Sequence, residues 1–554
     1  MVKMSSKMAK PKRKRDKPAP PPAPDVAAPR MLRIIPPAAL LLMAAVAYYP
    51  AYFAGFVWDD VIFLDAPQVA SFSGLWDIWF NPADGVREGH YWPVVYTSFW
   101  LDHKLWGFNP AGFHTVNVLL HGVVSVLLWR LLARLAVPGA WLAAAVFALH
   151  PTHVEAVAWT IARKDLLASL FYLLAASYWL RYDEHSQTGD YLKMLALFAA
   201  GMLSKSFVIT LPAAILIWAW WKRGRADGRD FKRVAPLFLT GMVIAAYDIS
   251  FFNSRVVIEF DYPLAERLVI AAKSLWFYPA KLLWPDPLPV IYPKWDTSPA
   301  SPLNWLPATA AIALTAVLWR ARRRIGRGPL AAALFFAVTV SPMLGLAVNS
   351  YMLYAFTADR YAYLASAGLI AVLTAAAVLA YKRLPPAAGR AAQTLAVLLL
   401  ACYGVLTWQQ TQVFRNDISL FTHIISVNPA AHSAHYNLGK ALMDARRLEE
   451  AEAAYKTEVA GDAADPKYLQ AVNYLASLHF KAKRYEKARE LYQYSIGINP
   501  EDAESRQNLG SALAQLGRYR EAISEFERAL AIDPQLHEAR ANLKLARQKL
   551  DESR

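Results

Sequence analysis

From Leu32 to Trp408 the chain is a succession of apolar segments, most of them about 17–23 residues long. That is the length of helix needed to cross a hydrocarbon core of roughly 30 Å. After Gln412 the pattern becomes charged, alanine-rich and periodic in the manner of amphipathic helices. The pattern therefore predicts an all-α protein, with a polytopic membrane helical domain followed by a solenoid of helix pairs.

Three domains are expected. Residues 1–31 form a disordered basic cytoplasmic tail, residues 32–411 a multi-pass membrane domain with a large first outer loop at 54–112, and residues 412–554 a repeat domain. The tail holds nine Lys/Arg and two Asp in its first 30 residues, too charged and too long for a cleaved signal.

Loop charge orients the spans. With the tail inside, Leu32–Phe53 leads outward and Phe113–Leu135 returns, ending at Arg130 and Arg134. Trp141–Leu149 and Leu166–Leu180 form the next pair, then Tyr191–Ser204 and Phe207–Trp221, which leads to the basic inner loop Lys222–Arg233. Val234–Phe252 goes out again. If Leu264–Trp284 also crossed, the next span, Leu303–Trp319, would carry Arg320, Arg322, Arg323 and Arg324 to the outside, against the positive-inside rule. Leu264–Trp284 also contains Arg267, Lys273 and Lys281, so it is expected to be re-entrant or interfacial. Leu330–Val348, Tyr361–Ala380 and Thr394–Trp408 complete 11 expected spans, which put the repeat domain outside.

The repeats show in the spacing. Pro466, Pro500 and Pro534 recur every 34 residues. Leu509-Gly510, Ala522, Phe526 and Ala529 fall at tetratricopeptide-repeat positions, as do Leu475-Ala476, Ala488 and Tyr492, and Leu438-Gly439, Ala451 and Tyr455. About three repeats are expected, with Leu536–Leu550 as a capping helix and a concave face able to hold a peptide. Bracing of the membrane domain is the plainer alternative.

Composition agrees with a membrane protein: 56% hydrophobic and only 18% charged residues, against the roughly 25% charged of soluble chains. The net charge of +16 lies in the tail and at the ends of apolar runs, so anionic lipid rather than nucleic acid is the expected partner. One cysteine, Cys402, excludes disulfides within the chain and multi-cysteine metal sites.

The expected topology gathers ionisable residues on the outer side, near membrane level, where they are costly unless they line a polar cavity. Asp59 and Asp60 sit amid Phe56, Val57, Trp58, Val61, Ile62 and Phe63, which suits a general base with a raised pKa. His150, His153 and Glu155 have spacings compatible with a divalent metal, although a histidine bonded to a carboxylate is the commoner arrangement. Arg163, Lys164 and Lys205 are candidates to clamp a phosphate, or else interfacial anchors. Asp359-Arg360 reads equally well as a helix-locking salt bridge or as a substrate contact.

Together with His90-Tyr91-Trp92-Pro93, Phe108–His114, Val116–His121, His150–Val157, Leu203-Ser204-Lys205 and the repeats, these motifs resemble the transmembrane and tetratricopeptide-repeat-containing O-mannosyltransferases and their bacterial relatives. Arg267, Phe277-Tyr278, Ile291–Trp295 and Ala358–Tyr361 resemble the bacterial members in particular. The resemblance implies a GT-C class glycosyltransferase in the bacterial inner (cytoplasmic) membrane, using a polyprenyl-phosphate-linked sugar. It places the catalytic acidic pair at Asp59 and Asp60, the donor phosphate near Arg163, Lys164, Lys205 and Arg360, and His90, His150, His153 and Glu155 around the site. The acceptor would be a Ser/Thr hydroxyl of an exported protein, held by the repeats and attacked onto the sugar with inversion. A lipid-linked or surface-glycan acceptor, and a non-catalytic scaffold, are the competing expectations.

Overall fold

The computed structural model describes residues 30–64, 66–82, 89–256, 261–461 and 467–553. Residues 1–29 of the expected basic tail, and Pro466 of the repeat spacing, lie outside them. Every regular element among the described residues is helical.

Among the described residues four helices are long and apolar enough to cross a membrane: Pro110–Arg134, Gly228–Asn253, Pro302–Ile325 and Pro386–Val413. Shorter apolar helices accompany them at Ile35–Ala47, Ala140–Leu149, Gly328–Met343 and Ser366–Tyr381. The first helix, Arg30–Ala47, gives way to a 3-10 turn at Tyr49–Phe53, where Pro50 cannot donate to a preceding carbonyl.

The third expected span is a helix of ten residues, Ala140–Leu149, or about 15 Å at 1.5 Å per residue. It is too short to cross a bilayer core alone. Pro151 ends it, and two 3-10 turns at Pro151–His153 and Thr160–Ala162 flank the single helical turn Val154–Ala158. All of residues 150–163 are buried, so this irregular backbone lies inside protein rather than in lipid, the condition under which non-helical chain is tolerated at membrane depth.

Leu264–Leu283 is one helix but falls outside the span-like set because of its charges. Its Lys273 ammonium donates to the Asp296 carbonyl at 2.6 Å and to Asn304 Oδ1 at 2.7 Å, which anchors its middle to the loop that follows.

After Val413 the helices pair as the spacing predicts. His432–Asp444 pairs with Leu448–Val459, Tyr468–Lys481 with Tyr485–Ile498, and Ala503–Gln515 with Tyr519–Ile532, followed by His537–Glu552. The turn inside each pair carries one left-handed residue at the equivalent place: Arg446 (φ 61°), Lys483 (φ 59°) and Gly517 (φ 77°). Small residues set the helix approach. A Cβ on Gly510 would lie 2.7 Å from the Phe526 ring, and one on Gly439 would lie 2.7 Å from the Tyr455 ring.

The largest apolar core does not stop where the membrane segments end. Phe414, Leu420, Phe421 and Ile424 are buried in the same cluster as Val57, Val157 and Trp159. The helix Asp417–Val427 is thus inserted among the membrane-domain loops, and the repeats hang from it.

Candidate active site

The acidic pair lies in a loop between the 3-10 turn at Tyr49–Phe53 and the short helix Asp60–Leu64. Its two carboxylates have different surroundings. Asp60 is fully buried, and each of its oxygens accepts a backbone amide, from Val57 at 2.9 Å and Ile161 at 3.0 Å. Burial pushes its pKa well above the ordinary carboxylate value, and the neighbouring Asp59 adds to the rise, while the two amides oppose it. Asp59 is half-buried.

The preceding residue, Trp58, has left-handed backbone (φ 54°), uncommon for a bulky side chain. Its indole stacks on Trp159, with centroids 5.3 Å apart and planes 7° from parallel. Its amide donates to Asp417 Oδ1 at 2.6 Å.

Trp159 links the acidic loop to a buried set of charges. The Arg360 guanidinium lies 5.0 Å from the Trp159 ring and also over Tyr351 and Tyr361. It is ion-paired with Glu155, whose other oxygen accepts the Arg360 amide at 2.9 Å. Lys205 is ion-paired with Asp165 at 2.6 Å and approaches the Tyr361 ring at 5.5 Å. Burial pushes the Lys205 ammonium down to about 8; Asp165 resists that shift, and the cations Lys164 and Arg360 reinforce it. Lys164 is half-buried, with its ammonium 4.7 Å from the Trp92 ring. Lys164, Lys205 and Arg360 thus feel one another around two carboxylates, Glu155 and Asp165. Asp359 lies beside them, with Tyr292 donating to it at 3.0 Å.

Three expectations are corrected by this geometry. Arg163 does not face a ligand. It is fully buried, 2.5 Å from Asp102 Oδ2, donating to Asn117 Oδ1 at 2.7 Å and the Phe113 carbonyl at 2.8 Å. It locks the helix Pro93–Trp106 to the helix Pro110–Arg134.

His150, His153 and Glu155 do not converge as a metal set. His150 pairs with the Leu282 carbonyl at 2.9 Å, His153 with the Phe147 carbonyl at 2.8 Å and Ser366 Oγ at 2.9 Å, and Glu155 with Arg360. Among the described residues no three His, Cys, Asp or Glu side chains gather as a metal site. These residues do not fit a divalent ion.

His90 takes no part in a metal set, but it stacks on the Trp92 ring that Lys164 approaches. It pairs with Asp248 at 3.2 Å and is stacked between Trp92 and Phe252, while Ser206 and the Tyr91 amide also donate to Asp248. It ties the segment before the helix Pro93–Trp106 to the helix Gly228–Asn253.

Several residues of the site carried no signal of their own. Trp159, Asp102 and Asp417 are ordinary residues until the fold brings them here, whereas Asn117 and Tyr292 lie within the runs Val116–His121 and Ile291–Trp295. Two apolar cavities, of about 500 and 590 Å³, open between the helices. The larger reaches from Leu399 and Leu373 to His150.

The molecule is therefore a helical membrane protein with a buried acid-and-cation site and a tetratricopeptide array. Residues 92–250 match the family model described as dolichyl-phosphate-mannose-protein mannosyltransferase, and residues 418–468, 436–503 and 475–547 match tetratricopeptide-repeat models. The first match contains His150, Glu155, Lys164, Asp165 and Lys205.

Drosophila melanogaster protein O-mannosyl-transferase Tmtc2 is 39% identical over 213 residues, which is 35% of this chain and 22% of that protein. Mus musculus protein O-mannosyl-transferase TMTC4 is 26% identical over 471 residues, 71% of this chain and 62% of that one. The chain is a relative of these protein O-mannosyl-transferases, and its alignments span less than two thirds of their length. Among solved structures, the crystal structure of MamA protein is 23% identical with a TM-score of 0.23, covering 24% of this chain and 72% of that one.

Proposed function

We propose that the protein is a glycosyltransferase of the GT-C kind that moves a sugar from a polyprenyl-phosphate carrier to a Ser/Thr hydroxyl of an exported protein. The observation that carries this reading is the stack of Trp58, the residue before Asp59, on Trp159, whose ring lies 5.0 Å from the Arg360 guanidinium. A carboxylate and cations on the two sides of that stack suit a base for the incoming hydroxyl and positive charge for a departing phosphate. The relatives' names agree with it.

Asp59 is the base. Both oxygens of Asp60 are taken by amides, so Asp60 shapes the loop and leaves Asp59 as the base. The acceptor hydroxyl gives its proton to Asp59 while its oxygen bonds to the anomeric carbon. The bond from that carbon to the phosphate oxygen breaks, the phosphate leaves with the electron pair, and configuration inverts. Lys205, Lys164 and Arg360 receive the phosphate and supply the stabilising charge. The isoprenoid tail lies in an apolar cavity between helices. The tail is cytoplasmic, the site and the repeats lie on the opposite side, and the concave face of residues 412–554 presents the acceptor.

The test is glycopeptide profiling of exported proteins from cells carrying the wild-type chain or Asp59→Ala. A hexose-sized mass lost from Ser/Thr peptides supports the proposal. Unchanged peptides with an altered surface glycan move the acceptor to a glycan. No change in either, with the variant inserted normally, leaves a scaffold.

A further inference from the structure

The acidic loop is held from a place that lies 359 residues further along the chain. Trp58 sits in the left-handed region, which a side chain bearing a Cβ adopts only under constraint. Its constraints are few and identifiable. The indole is fixed by the flat stack on Trp159 and by edge contacts to Tyr354 and Phe421. The amide is fixed by Asp417 Oδ1 at 2.6 Å, a charge-assisted hydrogen bond. A second strut runs parallel, from the Gly55 amide to the Arg415 carbonyl at 3.0 Å.

Both struts come from the turn that follows the last apolar helix and starts the helix Asp417–Val427. That helix begins with a capping box, in which Asn416 and Ser419 satisfy each other's backbone amides. Asp417 is therefore not needed as the cap, and its carboxylate is free to serve another segment. The same carboxylate is within electrostatic reach of Lys440 and Asp444, at the end of the first repeat helix. Leu420, Phe421 and Ile424 bury the other face of its helix in the membrane-domain core.

We infer that Asp417 is a positioning residue for the acidic pair: through the Asp417–Trp58 hydrogen bond, the seating of the repeat array's first helix sets the geometry of the loop that carries Asp59. The array is then part of the site's architecture as well as a holder of acceptor. The inference rests on the proposed function for its consequence on catalysis, while the mechanical coupling stands apart from it.

The experiment compares full-length wild type, Asp417→Ala, Asp417→Asn and Trp58→Gly in nanodiscs. It reads hydrogen exchange of the peptide spanning residues 55–64, together with sugar-transfer kinetics. Asp417→Ala is expected to speed loop exchange about tenfold, the size of effect that loss of one hydrogen bond to a charged group gives. Exchange in residues 468–550 stays as in wild type. The kcat falls by a similar factor with donor KM held within about twofold, the split of a misplaced base rather than of lost binding.

Asp417→Asn keeps an oxygen acceptor and stays within about threefold of wild type on both readouts. In Trp58→Gly the left-handed backbone carries no penalty while its amide still donates to Asp417, so adding Asp417→Ala speeds loop exchange by less than it does in the wild-type chain. Loop exchange in Asp417→Ala equal to wild type overturns the inference, as does a rise of equal size throughout the array. A wild-type chain that transfers no sugar to any acceptor overturns the transferase reading, while the exchange comparison still decides the coupling.

Discussion

Asp60 accepts the Ile161 amide at 3.0 Å, and that bond ties the acidic loop to the irregular segment between the short helix Ala140–Leu149 and the helix Arg163–His185. The two carboxylates of the pair should therefore fail differently when removed. Asp59→Asn is expected to lower kcat by about 10²–10⁴, the usual contribution of a general base, with little change in unfolding temperature. Asp60→Ala leaves two buried amides without acceptors, each costing about 1–3 kcal/mol, so it should lower the unfolding temperature as well as activity. Thermal unfolding beside transfer kinetics separates the two.

Lys205 supplies the pH dependence. Its ammonium is held at about 8, below the ordinary 10.5, so it is charged below pH 8 and neutral above. Donor KM is expected to rise as pH passes through about 8, and Lys205→Arg, which does not titrate there, should flatten the profile. The stability trend has the opposite sense. Between pH 8 and 10.5 the unfolded chain keeps a proton that the folded protein has released, so this group's contribution to stability grows with pH.

Arg163 is expected to behave as a structural residue. Arg163→Met strands buried Asp102 and should destabilise the protein by roughly 3–5 kcal/mol. Adding Asp102→Leu should recover much of that loss, as measured by unfolding in detergent. A donor KM that rises in the well-folded double variant would return Arg163 to the phosphate site.

The repeats offer a packing test. A Cβ at Gly510 meets the fully buried Phe526 ring at 2.7 Å, so Gly510→Ala forces a core ring to move and should cost about 1–3 kcal/mol. Limited proteolysis should then release fragments cut near residues 500–530 before any cut in the membrane domain.

Orientation is checked by reporters fused after Trp408 and after Arg225. The site and array are expected to report the side opposite the tail, and the basic loop Lys222–Arg233 the same side as the tail. A cytoplasmic signal after Trp408 would sink the proposed placement of the array.

Much of this architecture was legible in the chain because it follows from local rules. Helix pairs in the array are set by a small residue facing an aromatic at fixed spacing, as in Gly439–Tyr455 and Gly510–Phe526. Apolar length marks the Pro110–Arg134 and Pro386–Val413 helices without reference to anything else. Asp59 and Asp60 stood out because two adjacent carboxylates amid aromatic and aliphatic neighbours are unusual. Composition alone announced a membrane protein.

What the chain order does not carry is which polar residues meet. Arg163, Lys164 and Lys205 look alike as basic residues beside apolar runs, yet Arg163 is paired with Asp102, 61 positions before it, and only Lys164 and Lys205 join Arg360. His150 and His153 have the spacing of ligands, but Pro151 breaks the helix and sends each to a different carbonyl. Asp417 gives no sign in the sequence of its bond to Trp58. Hydrophobic length, helical period and small-residue spacing are properties of neighbours along the chain, so the sequence by itself determined the helices, the repeats and the acidic pair. The partners of a buried charge are chosen by desolvation: each must find an opposite charge or a donor wherever the folded chain brings one, and only the tertiary structure decided where that was.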